Sequence, residues 1–150
     1  MINPTPTGTA TSAPTGLAAA LAAEQAAIFA YGLLGAWLPE EEAEAARQAE
    51  AAHRDRRDVL LTTLADRGEP PVTGGIYQAP FPVTGPDQAR ELAILVEERV
   101  AAVWRATLAD VTGEDRRMAV AALVDAAVRA TGWRQAAGMD PATVPFPGAT

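Results

Sequence analysis

One long segment rich in proline and glycine interrupts a chain that otherwise favours helices. Residues 69–86 contain five prolines and, with the neighbouring Gly68, four glycines, whereas the stretches on either side are rich in alanine, the residue with the highest helix propensity. Eighteen extended residues reach roughly 55 Å, which exceeds the roughly 36 Å length of a 24-residue helix. The segment can therefore run the length of a helix, so that the helices before and after it are parallel.

Four helical stretches are predicted around this segment, at about 17–38, 39–67, 86–111 and 112–137. Pro39 suits the first turn of the second helix, Gly68 ends it, and Thr112 with Asp115 has the spacing of a capping box for the fourth. Almost no residues separate the first helix from the second, or the third from the fourth. Each of these two pairs must therefore form a tight antiparallel hairpin. The sequence predicts an all-α fold, a four-helix bundle of two antiparallel hairpins joined by a crossover at 69–86.

The ends of the chain and its charge limit the other possibilities. Residues 1–16 are rich in Pro and Thr and predict a disordered tail, while 138–150 should form a proline-rich tail that packs Val144 and Phe146 against the bundle. The net charge of -7 argues against nucleic acid or an anionic membrane as partner. No run of about eighteen unbroken apolar residues is present, so we expect a cytoplasmic protein without membrane spans, as a monomer or dimer.

Acidic residues interrupt the apolar faces of the predicted helices. Glu24 lies in the seam of the first helix, Glu50 and His53 share a face of the second, and Glu97 lies in the seam of the third. In the fourth helix, Asp125 is the only ionisable residue between the arginines at 117 and 129 and is assigned to the core-facing line 118, 121, 125, 128 and 132.

All five groups lie at a similar height along the bundle. Glu24 and His53 lie roughly 22 and 21 Å from the turn at Pro39, and Glu97 and Asp125 lie roughly 24 and 18 Å from the turn at residue 113. Carboxylates buried together in an apolar core cost several kcal/mol each unless a cation neutralises them. Carboxylate and imidazole are ligands typical of iron or manganese, with zinc possible. The alternative is a metal-free cluster in which Arg57, on the same helical face as His53, replaces the metal.

The chain also contains signs of an internal duplication. The pentapeptide EAAHR at 50–54 returns as DAAVR at 125–129, with Val128 in place of His53. A shift of 73 positions lays Glu24 on Glu97 and Tyr31 on Trp104. The two hairpins are therefore predicted to be copies of one ancestral unit that carried a symmetric site.

These residues resemble the ferritin-like di-iron carboxylate superfamily, which has a Glu on helices one and three and Glu-x-x-His on helix two. The chain is more closely similar to a small bacterial ferritin-like family classed as a domain of unknown function, through the phrases YQAPFPV, GWR and PFPG. The resemblance implies that Glu24 and His53 bind one metal, that Glu50 bridges to a second metal bound by Glu97, and that Tyr31 lies beside them. In the fourth helix Asp125-x-x-Val128 departs from the second Glu-x-x-His.

Three hypotheses follow. The first is a ferritin-like bundle that binds iron or manganese through Glu24, Glu50, His53 and Glu97, with Asp125 at the edge of the site and oxidase-type chemistry if it is active. The second is a metal-free bundle used for interaction or scaffolding. The third is a small-molecule pocket closed by the crossover near Trp104.

Overall fold

The computed structural model describes residues 16–70 and 75–149, and in these the chain is all-α with no strand. This confirms the predicted fold class and its four helices. Residues 1–15 of the predicted tail, and 71–74 of the predicted crossover, lie outside the described residues. The helices are α1 (Gly16–Leu34, followed by a 3-10 turn at Gly35–Trp37), α2 (Glu40–Asp66), α3 (Pro86–Thr107) and α4 (Gly113–Ala136).

The helix ends follow the sequence signals closely. Pro39 directly precedes α2, whose first turn carries three glutamates, and Pro86 opens α3. Gly68 takes φ +68° just after α2, a conformation that glycine adopts without steric cost. Thr112 is the N-cap residue of α4 but makes no side-chain cap hydrogen bond. Asp115, its expected partner in a capping box, instead forms an ion pair with Arg67 of α2 at 2.8 Å.

Side-chain contacts give the directions of the helices. Arg90 of α3 pairs with Glu42 of α2 near the start of both helices, and His53 meets Glu97 near the middle of both. Helices α2 and α3 therefore run in the same direction. The Thr107 hydroxyl at the end of α3 donates to the Gly16 carbonyl at the start of α1, so α1 and α3 run in opposite directions.

The interior consists of two apolar clusters with a polar layer between them. One cluster contains Leu17, Leu21, Leu60, Leu64 and Trp104. The other contains Tyr31, Leu34, Ala49, Leu92 and Trp133, with Phe81 of the crossover packed against it. Phe81 therefore holds the crossover onto the helices.

The predicted core face of α4 is wrong by one position. The buried residues of the helix are Ala119, Ala122, Ala126, Ala130, Trp133 and Arg134. Val128 is 65% exposed, and the side chain of Asp125 is 50% exposed. The helix contains alanine on every face, so its apolar periodicity could not separate the true face from its neighbour.

The C-terminal tail lies on the helices through its backbone. Arg105 and Arg134 donate to the carbonyls of Pro147 and Ala142, while Gly148 approaches the backbone of Ala101 closely. Of the two side chains expected to pack against the bundle, Phe146 is 70% exposed, whereas Val144 is 43% exposed and lines a groove beside α4.

Helix α1 is more apolar than we expected from the absence of a long unbroken apolar run. The stretch Gly16–Trp37 has a mean hydropathy of 1.6 over its best window, long and apolar enough to cross a membrane by length and composition alone. A core helix and a signal sequence meet the same criterion. In the structure this helix places one face, including Glu24, against α2 and α3.

Candidate functional site: a buried ionic network

Three of the five predicted site residues converge at the centre of the molecule. Glu24 of α1, His53 of α2 and Glu97 of α3 are each 0% exposed. His53 lies between the two glutamates, with Nδ1 2.6 Å from Glu24 Oε2 and Nε2 3.2 Å from Glu97 Oε1. An imidazole that donates from both nitrogens carries a positive charge. The geometry therefore favours an imidazolium held between two carboxylates.

Two aromatic side chains donate to the same carboxylates. The Trp104 indole N–H donates to Glu24 Oε1 at 2.6 Å, and the Tyr31 hydroxyl donates to Glu97 Oε1 at 2.6 Å. The Tyr31 oxygen in turn accepts a hydrogen bond from Trp133 at 2.8 Å. Tyr31 and Trp104 are thus both buried donors to the acidic centre.

Two arginines complete the network. Arg129 of α4 donates from Nε to Glu97 Oε1 at 2.8 Å, and its side chain is only 20% exposed. Arg56 of α2 lies 3.7 Å from Glu24 Oε1 and bonds Asp125 at 2.7 Å. Arg57, the arginine expected to replace a metal, pairs with its neighbour Asp58 instead. The guanidinium groups at the network therefore belong to Arg56 and Arg129.

The other two predicted ligands do not join the centre. Glu50 is bound by Arg54 of its own helix at 2.5 Å. Asp125 is half-exposed and bonds Arg56 from the outside of the network. The displacement of Asp125 follows from the shifted face of α4, which turns Ala126 and Arg129 inward in place of Asp125 and Val128.

The protonation states agree with this geometry. Burial lowers the pKa of His53, but the hydrogen bonds and negative charges of Glu24 and Glu97 outweigh it and raise the pKa above its ordinary value. Burial raises the pKa of Glu97, but His53, Arg129 and Tyr31 together hold it below the ordinary value. Burial and the charge of Glu97 raise the pKa of Tyr31 well above its usual range, so its hydroxyl remains a neutral donor.

The two hairpins contribute equivalent residues to the network, at a spacing of 73 positions in the sequence. This spacing relates Glu24 to Glu97, Tyr31 to Trp104 and Arg56 to Arg129. Each aromatic donates to the glutamate of the other repeat, and each arginine lies beside the glutamate of its own repeat. The pentapeptides EAAHR and DAAVR are 75 residues apart. Aligning them therefore shifts α4 by two positions relative to the spacing of 73 residues.

One position breaks this pattern. With a spacing of 73, the counterpart of His53 is Ala126, which is completely buried. A single imidazole thus serves both glutamates, and the equivalent place in the second repeat holds only a methyl group. At a spacing of 73 the position that corresponds to His53 is therefore residue 126, and not residue 128 as the pentapeptides predicted.

The fit of a metal can be tested against the donor atoms. Both ring nitrogens of His53 and both oxygens of Glu24 already have hydrogen-bond partners. Among residues 16–70 and 75–149, no group of three or more His, Asp or Glu side chains is arranged to hold a metal ion. Of the carboxylate oxygens at the centre, Glu97 Oε2 alone is buried without a partner. The residues present therefore do not fit a two-metal centre.

Comparison with known proteins places this arrangement in a family. Residues 16–150 match the family described as Domain of unknown function (DUF4439). The chain belongs to this family. The DUF4439 chain is also similar to a solved structure, the crystal structure of a conserved hypothetical protein, Rv2844, from Mycobacterium tuberculosis. The TM-score is 0.77 and the sequence identity 35%, with 80% of this chain and 92% of that chain covered. No curated protein matches the DUF4439 chain.

Sequence reasoning missed the two arginines and Trp133 of this DUF4439 domain. Arg129 is the last residue of the repeated pentapeptide, but it was not on the line of residues predicted to face the core. The spacing of 73 that already related Glu24 to Glu97 would have related Arg56 to Arg129 as well. The same spacing, applied to all four helices, would therefore have indicated both arginines.

Proposed function

We propose that this protein is a ferritin-like bundle whose ancestral metal centre has been replaced by an ionic network, and that it acts as a metal-free interaction protein. The observation that carries the proposal is the Arg129 guanidinium, 2.8 Å from a glutamate that is 0% exposed. A cation that is part of the chain therefore neutralises Glu97, which is what a bound metal ion would otherwise do.

The charges of the network support the same reading. Glu24 and Glu97 at the centre, with the half-exposed Asp125 that pairs with Arg56 from outside, contribute three negative charges, and His53, Arg56 and Arg129 contribute three positive ones. A divalent cation added to this set would leave the layer with an uncompensated positive charge, which is costly in a low-dielectric interior. The balanced set is therefore more stable without metal.

Metal analysis combined with thermal unfolding tests the proposal. The protein purified without chelator should contain far less than one iron or manganese per chain, and EDTA should leave its melting temperature unchanged. Substituting both network arginines, Arg56→Ala and Arg129→Ala, should increase its affinity for Mn²⁺, because the carboxylates lose their cations. One equivalent of metal in the wild type, lost in His53→Ala, would contradict the proposal.

A single-metal site is the second candidate. It is favoured by Glu97 Oε2, a buried carboxylate oxygen with no hydrogen-bond partner among the described residues. Iron or manganese would then be held by Glu97 and by the Nε2 of a neutral His53, the ring nitrogen that faces this glutamate. In this case the protein would bind one Mn²⁺ more tightly at pH 8 than at pH 6, since a ligating imidazole must first lose its proton.

An exposed face of α4 supports the interaction role. Val120, Val124 and Val128 follow one another at intervals of four residues, with exposures of 45%, 53% and 65%. Val124 and Val128 line an open groove of about 700 Å³ whose far wall is the C-terminal tail. The equivalent residues of α2, at a spacing of 73, are Arg47, Ala51 and Asp55. One repeat therefore carries a solvated face where the other carries an apolar one.

The partner proposed for this face is a second copy of the chain. Two α4 helices that cross antiparallel at Val124 would make a self-complementary contact, the commonest geometry of homodimers. Light scattering over a concentration series should show a dimer that Val124→Glu abolishes. The matched control is Ala51→Glu, which places the same charge at the equivalent exposed position of α2 and should leave the dimer intact. A wild type that stays monomeric at all concentrations would refute this partner.

A further inference from the structure

A separate cavity lies on the side of the molecule formed by α1 and α3. It is a groove of about 320 Å³ between the alanines of α1, the valines of α3 and the crossover residues 77–80. This volume is at the lower end of the range typical of small-molecule sites, about 300–1,000 Å³. The groove does not include any residue of the ionic network.

The sequence explains why the groove exists. Ala19, Ala22, Ala23 and Ala26 form its floor, and their methyl groups leave space that larger side chains would fill. The roof is fixed at one end, because Tyr77 stacks on Phe29 with ring centroids 5.9 Å apart and donates to the Gln25 side chain at 3.2 Å. The groove is thus a gap held open by the crossover and lined by small residues.

One charged side chain lines this apolar groove. Arg99 of α3 is exposed, and within the described parts of the chain it forms no ion pair. The other arginines of α3 are engaged: Arg90 binds Glu42, and Arg105 donates to the Pro147 carbonyl. A free guanidinium beside an apolar groove is complementary to a ligand with an apolar body and an anionic head.

The length of the groove limits the ligand further. From Ala19 to Ala30 it follows α1 for roughly 16 Å, which suits one extended acyl chain of medium length.

We propose that this groove binds a single-chain amphipathic carboxylate, with its acyl chain along the alanines of α1 and its carboxylate on Arg99. The site goes beyond the proposed interaction role and does not depend on the ionic network or on the α4 face.

Calorimetric titration with laurate, below its micelle concentration, tests the proposal. Laurate should bind the full chain more tightly than dodecyltrimethylammonium, although the net charge of -7 favours the cation. Arg99→Gln should weaken laurate binding about five- to tenfold, since it removes a charge-assisted contact. Ala26→Leu and Ala22→Leu, which fill the floor at two points, should each weaken binding at least tenfold.

Two matched controls separate the site from general effects. Arg117→Gln removes one positive charge from an exposed surface pair on α4, and Ala121→Leu adds the same bulk at an exposed position of that helix. Both should bind laurate like the wild type. The proposal is overturned if the cationic detergent binds as tightly as laurate, if Arg99→Gln and Arg117→Gln behave alike, or if the folded wild type binds no laurate.

Discussion

Removing the Arg129 guanidinium should destabilise the protein by about 2–3 kcal/mol. Arg129→Met keeps the length and much of the apolar stem but leaves Glu97 without its closest cation. Breaking a fully buried ion pair from one side costs about 3–5 kcal/mol, and the Arg129 side chain is 20% exposed, so water recovers part of this cost. His53 and Tyr31 continue to donate to the carboxylate, which also holds the loss below the upper limit.

Urea unfolding at pH 7, followed by circular dichroism, measures this loss. Arg54→Met is the matched control, since its pair with Glu50 lies within one helix and its side chain is 50% exposed. A pair of this kind contributes about 0.3–0.5 kcal/mol. If Arg129→Met and Arg54→Met lowered the free energy of unfolding equally, the buried network would not hold the core together as described.

Further predictions concern the histidine and two glycines. Because the folded-state pKa of His53 is raised, its stabilisation is complete below its unfolded value near 6.5 and is lost as the pH rises through the folded value. The free energy of unfolding should therefore fall as the pH rises above about 6.5, by at most about 1.4 kcal/mol per unit, and His53→Gln should remove this slope. Gly148→Ala would place a Cβ 2.6 Å from the Ala101 carbonyl oxygen at φ +75°, so limited proteolysis should cut its tail faster than that of the wild type. Gly32→Ala, in the exposed and open part of α1, should instead raise the free energy of unfolding by up to about 1 kcal/mol.

The helices and the acidic centre could be predicted because their signals are local. Proline, glycine and the glutamate-rich first turn of α2 mark the helix ends to within a few residues. Glu24, His53 and Glu97 interrupt apolar seams, and counting residues from the turns placed them at one height. Both inferences depend on helix geometry alone, which is the same in every protein.

The partners of the acids could not be predicted in the same way. Whether Asp125 or Arg129 faces the core depends on a rotation of α4 by one residue, and a helix with alanine on all sides does not specify that rotation by its apolar pattern. The choice between Arg56 and Arg57 likewise depends on tertiary packing. Only the spacing of 73 residues, applied to both hairpins, carried this information in the sequence.

The unequal pair His53 and Ala126 has a consequence for how such a protein can be built. Two identical copies of the first hairpin, assembled as separate chains, would bring a second imidazole to the place of the Ala126 methyl, with more positive charge and too little room. Joining two unlike hairpins in one polypeptide guarantees one ring and one methyl in every molecule. The covalent connection therefore does not only bring the two hairpins together. It also ensures that every molecule contains one hairpin with histidine and one with alanine, which free association of separate hairpins would not ensure.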